Sequence, residues 1–134
     1  MSQTQKDANQ LAADRTEMAF RRTVMALERS LMAWVRTAVS LIGFGFTIFK
    51  FLEGLAREGA AIREHSPRNL GLFLIFLGIG MLILGMMQYK QSLKKLAGIN
   101  EEKAPFSLAM IAAGAVILVG IFTLLNMLFG FGGF

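Results

Sequence analysis

The chain has no cysteine and a single histidine. Without cysteine there is no disulfide, no thiolate metal site and no cysteine nucleophile. His65 stands alone, with no second ligand or base near it, and reads as a solvated loop residue. Acid is scarce as well, at nine Asp and Glu against fourteen Lys and Arg. The two aspartates, Asp7 and Asp14, lie near the N-terminus, away from any serine–histidine arrangement. The glycines are scattered through apolar segments, so none forms a phosphate-binding loop. No nucleic-acid-binding module is present. These absences point to a non-enzyme with no metal and no cofactor. The first thirty residues have no apolar core or small-residue cleavage site and do not read as a signal peptide. Glycine and proline are both missing from Ser2 to Ile42, so nothing there interrupts a helix.

What the chain has in excess is apolar surface. Over half of its 134 residues are hydrophobic and the mean hydropathy is +0.54, too apolar for a soluble domain of this size and suited to a small integral membrane protein. The pattern predicts an all-α integral membrane protein, with residues 1–134 forming a single membrane domain. Residues 1–30 form a cytoplasmic amphipathic helix, starting near Asp7 or Asn9, with Leu, Ala and Met on one side and charge on the other. This helix is predicted to continue into the first of three transmembrane helices, at about 31–52, 70–89 and 106–129. The uncharged part of the first span, Thr37 to Phe49, would cover only ~20 Å. A hydrocarbon core needs about 20 apolar residues. Arg36 and Lys50 must therefore lie at its ends, with their heads snorkelling or facing protein, and Trp34 lies near the expected interface. The connections are Glu53–Asn69, with Gly54, Gly59 and Pro67 as breakers, and Lys90–Ala104, with Gly98 and Asn100. Pro105 suits a first helical turn, and a Gly/Phe tail follows Phe129.

Basic residues set the expected orientation. The N-terminal region and the second connection together carry ten Lys or Arg, against four in the first connection and none in the C-terminal tail. The bias places the N-terminus in the cytoplasm and the C-terminus outside, in a multi-pass protein of the inner (plasma) membrane. Small residues supply candidate packing faces: Gly43, Gly45 and Thr47 on the first helix, Gly71, Gly78 and Gly85 on the second, and Ala109, Ala113 and Gly120 on the third.

The most informative feature is a stripe of Arg15, Arg22, Arg29 and Arg36. Seven residues is almost two helical turns, so the four share one face. Leu11, Met18, Met25 and Met32 form a second row in the same frame, and Ala12, Ala19, Ala26 and Ala33 a third. The stripe arginines have no carboxylate three or four residues away, whereas Arg21 has Glu17. Charge at a membrane must be neutralised, so the stripe calls for another chain, a lipid phosphate or an anion. One reading is electrostatic anchoring to anionic head groups. The other is a pore or anion site, in which several copies turn their arginines toward an axis and form stacked basic rings. In that arrangement Glu28 bridges to a neighbouring chain, and Lys90 lies at a membrane depth similar to that of Arg29.

The run Ala26-Leu27-Glu28-Arg29-Ser30-Leu31-Met32-Ala33-Trp34-Val35-Arg36-Thr37 resembles the signature of a three-helix membrane family, the YidH-like family or domain of unknown function 202. It is also similar to the membrane domain of the vacuolar transporter chaperone complex, which makes polyphosphate and passes it through the membrane. Ser30 stands where the family has Thr, and Met32 where it has Leu. The resemblance implies three helices per chain and a homo-oligomer, a pentamer, around a central axis. Its basic rings would match Arg22, Arg29 and Lys90, and Glu28 matches the signature's acidic residue. The chain has no phosphate-handling or polymerase domain, so any polymer synthesis would need another protein. The functional expectation is a homo-oligomeric membrane assembly with an Arg/Lys-lined axial path, binding or conducting an anion such as phosphate or polyphosphate. The alternative is a structural or accessory subunit that anchors cytoplasmic partners or anionic lipid through its basic N-terminal helix.

Overall fold

The computed structural model describes residues 2–59, 65–98 and 107–129, with the backbone alone at 65–68 and 97. It holds three helices: α1 (Gln3–Arg57), α2 (His65–Ala97) and α3 (Leu108–Phe129). Among the described residues there is no strand. Arg63, Asn100, Lys103, Pro105, Phe106 and the Gly/Phe tail fall outside this description, as do the side chains of His65 and Arg68.

Because nothing breaks the helix early, α1 runs unbroken for 55 residues, about 80 Å at 1.5 Å per residue. The amphipathic segment and the first apolar segment are thus one rod, as expected. It starts earlier than Asp7 or Asn9, with Ser2 at the N-cap. It also ends later than expected, because Gly54 alone does not stop it. Termination comes at Gly59, whose φ of 85° suits only glycine. Likewise α2 continues past Tyr89 to Ala97, and the Gly98 amide closes its end on the Lys94 carbonyl at 3.2 Å. Pro67 falls in the first turn of α2, where its missing N–H costs no helical bond. All three helices are long and apolar enough to cross a membrane.

The helices pack through the small residues. α1 and α2 run antiparallel, and the glycines of α2 meet α1 at about every second turn. A Cβ on Gly71 would stand 2.8 Å from the Gly45 carbonyl oxygen, and one on Gly78 would stand 3.1 Å from that of Ala38. Such contact distances let the backbones approach where any side chain would hold them apart. The glycines at 71, 78 and 85 therefore act inside one protomer. On α1 the close approach is at Gly45. Gly43 is exposed and has no atom within 4 Å of where its Cβ would be, so it packs against none of the described residues. On α3, Ala109, Ala113 and Gly120 are all buried.

The core is a series of layers. Phe20, Val24, Leu31, Tyr89, Leu93 and Ala109 form the layer nearest the N-terminal end of α1, starting seventeen residues into it. Val35, Ala38, Leu82 and Ala113 form the middle, and Ile42, Ile75 and Met127 the far layer. Outside them lie exposed Phe44, Phe51, Phe73, Phe76, Leu118 and Phe122, an apolar surface suited to lipid.

Candidate functional site

The register of α1 decides where its arginines go. Its buried residues include Val24, Leu31, Ala38 and Gly45, seven apart. Arg22, Arg29 and Arg36 each precede one of these by two positions, a rotation of about 200° on the helix. They therefore point away from α2, and Gly43 shares their line. All four stripe arginines are exposed. The ion pairs among the described residues are Arg21–Glu17 at 2.6 Å, Lys50–Glu53 at 3.4 Å and Arg57–Glu53 at 2.7 Å. The stripe takes part in none of them. Lys50, at the far end of the first apolar segment, is offset by Glu53 one turn on.

The apolar rows of α1 lie where the amphipathic pattern did not place them. Met18, Met25 and Met32 are exposed alongside the arginines, and so are Ala12, Ala19, Ala26 and Ala33. The face turned inward is Phe20, Val24, Leu31 and half-buried Leu27 instead. The outer face of α1 is thus a mixed surface of Arg, Met and Ala. The hydroxyls beside it are self-satisfied. Thr16 donates to the Ala12 carbonyl at 3.0 Å, Thr23 to Ala19 at 3.0 Å and Thr37 to Ala33 at 3.1 Å. These three are spent on their own helix, whereas exposed Ser30, in the same row, makes no hydrogen bond among the described residues and stands with the guanidinium groups as a free donor of this face.

Arg29 and Arg36 do not stand on an open surface. With Met25, Glu28 and Met32 they line a groove of about 480 Å³ on the flank of α1. Its other wall is the first turn of α3, at Leu108 and Ala109. Glu28 is half-buried there and has no ion-pair partner among the described residues. Ser107, just before Leu108 but not part of the lining, is 4% exposed, and its Oγ has no hydrogen-bond partner among the described residues. The Tyr89 hydroxyl in the adjacent core layer is likewise without a partner among the described residues.

The structure therefore brings two of the stripe arginines and Glu28 into one groove. Arg15, Arg22 and Lys90 are exposed but do not line it. The contribution of Leu108 and Ala109 was not readable from the sequence. The spacing of Arg29 and Arg36 was visible, but which part of another helix stands beside them depends on how α3 is packed. Among the described residues no group of His, Asp and Glu is placed to hold a metal ion.

No curated protein and no solved structure matches the chain. Residues 22–95, which carry the Arg22, Glu28, Arg29 and Arg36 face together with the glycine face of α2, match the family described as Domain of unknown function (DUF202). Over that stretch, more than half its length, the chain belongs to the DUF202 family.

Proposed function

We propose that this protein is a homo-oligomer of the inner (plasma) membrane whose arginine faces meet around an axis and form a binding or conducting path for anions of the phosphate and polyphosphate class. One observation carries the reading. The arginine stripe is exposed, unpaired among the described residues and turned away from the chain's own α2, between exposed rows of Met and Ala. A lone protomer leaves most of this face uncovered, α3 reaching it only beside Arg29 and Arg36. Copies brought together would bury the Met and Ala rows against one another and stack the arginines in rings. Like charges in a ring repel strongly in a low dielectric, so the rings favour anion occupancy, with Glu28 of adjacent copies offsetting the rest. Binding must remain weak enough for release if the path conducts. The N-terminus is cytoplasmic and the C-terminus external, by the distribution of basic residues. Five copies is the number the resemblance to the polyphosphate complex implies.

Native mass spectrometry in mild detergent should show an oligomer, and proteoliposomes should pass phosphate or chloride. Arg29→Ala should abolish the flux and leave assembly intact. A protein that stays monomeric, or wild type that passes no anion, sinks this reading.

A second reading, an accessory subunit that anchors a cytoplasmic partner, is favoured by one feature. Residues 3–19 have no buried side chain and extend about 25 Å beyond the first core layer. Deleting residues 3–19 should leave flux unchanged if the axial path is the function.

A further inference from the structure

We propose that the groove between α1 and the start of α3 is a binding site for the phosphoryl group of an anionic membrane lipid. The site is complete within one protomer; it shares Arg29 with the proposed axial path, so lipid retention is read separately from anion flux. Its charge comes from Arg29 and Arg36, about 10 Å apart along α1. Side chains on a helix lean toward its N-terminus, so Arg36 reaches back toward the level of Met32 and Leu108. Neither arginine has a carboxylate partner among the described residues, and Glu28 is the one acid among the described residues that line the groove. Two guanidinium groups thus face one carboxylate among those residues.

One further observation points to an oxyanion. The first turn of α3 forms the opposite wall; its Met110 amide donates to the Ser107 carbonyl at 3.1 Å, which leaves the Leu108 and Ala109 amides with no acceptor within the helix. A phosphoryl group in the groove would take charge-assisted bonds from the guanidinium groups and stand within the field of the α3 N-terminus.

The depth and the apolar lining favour a lipid as the source. α3 has 22 residues, about 33 Å, which matches a hydrocarbon core of about 30 Å. Its first turn therefore lies at head-group level when the helix spans. Met25, Met32, Leu108 and Ala109 make the rest of the groove apolar, and Leu108 is 76% exposed at its edge. An amphiphile satisfies both halves of this lining, whereas a fully hydrated polyanion would waste the apolar half.

The test is lipid retention by the full-length protein in native mass spectrometry, after reconstitution with phosphatidylglycerol or phosphatidylcholine. Wild type should retain phosphatidylglycerol preferentially. The double variant Arg29→Ala/Arg36→Ala should lower retention by about 30-fold, the effect of removing two surface arginines. The charge-matched double variant Arg15→Ala/Arg22→Ala, outside the groove, should retain it as wild type does. Leu108→Glu, at an exposed position that leaves the core untouched, should also release the lipid by placing a second carboxylate at the groove, and it keeps the test decisive should the double variant fail to fold. Excess inorganic phosphate should not displace the lipid. Displacement by phosphate overturns the lipid assignment in favour of a free-phosphate site. Equal retention of the two lipids, or equal loss in both double variants, overturns the site itself.

Discussion

Gly85 of α2 sits directly against Trp34 of α1: a Cβ on the glycine would stand 2.8 Å from Cγ and 3.0 Å from Cβ of the indole side chain. Trp34 is the only tryptophan, so the emission of the protein comes from the surroundings of this one ring. The neighbour is a rigid ring joined close to the backbone and cannot swing aside. Gly85→Ala should destabilise the α1–α2 pair by about 1–3 kcal/mol and shift Trp34 emission. Unfolding in detergent with unchanged stability and unchanged emission would contradict this packing.

The closest backbone approach is reciprocal. A Cβ on Gly45 would meet the Gly71 carbonyl oxygen at 2.7 Å, and one on Gly71 would meet the Gly45 carbonyl oxygen at 2.8 Å. Backbone atoms cannot move without shifting a helix, so Gly45→Ala should cost at least as much as Gly85→Ala. Gly43→Ala provides the contrast, with open space around it. It should leave monomer stability within about 0.5 kcal/mol. Gly43→Leu should weaken the oligomer and spare the monomer, because Gly43 lies on the arginine face. Loss of monomer stability in Gly43→Leu would mean that this face is not free.

Leu82 and Ile75 are fully buried, whereas Phe76 is 71% exposed. Leu82→Ala should lower stability in detergent by about 1–3 kcal/mol, below the usual cost in water because lipid or detergent tails replace water in the reference state. Phe76→Ala should change it by less than about 0.5 kcal/mol. Equal effects would mean that the layers described here are not the core.

Glu53 accepts from both Lys50 and Arg57 within one helix. These groups are partly exposed, so Glu53→Gln should cost no more than about 1 kcal/mol. The measurement is thermal unfolding at low and high salt. The difference between wild type and variant should shrink as salt rises.

Reporter fusions test the orientation. Fusions after Ser66 and at Phe134 should both read external. A cytoplasmic signal at Phe134 would rule out three spans with a cytoplasmic N-terminus.

Much of the architecture was legible in the residues. Three apolar segments, an uninterrupted run through Ile42 and the seven-residue glycine spacing of α2 follow from composition and period, because helix length and small-residue contacts are local properties. The stripe of Arg15, Arg22, Arg29 and Arg36 was equally plain, since any helix aligns residues seven apart. What the period could not decide is which way the stripe faces. The Met and Ala rows are as periodic as the Phe20, Val24 and Leu31 row, and either could have been the core. Only the packing of α2 onto Val24, Leu31, Ala38 and Gly45 turned the Met and Ala rows outward with the arginines. The groove is likewise tertiary. Leu108 and Ala109 lie more than seventy positions from Arg36 in the chain, and only the docking of α3 sets a helix N-terminus beside Arg29 and Arg36.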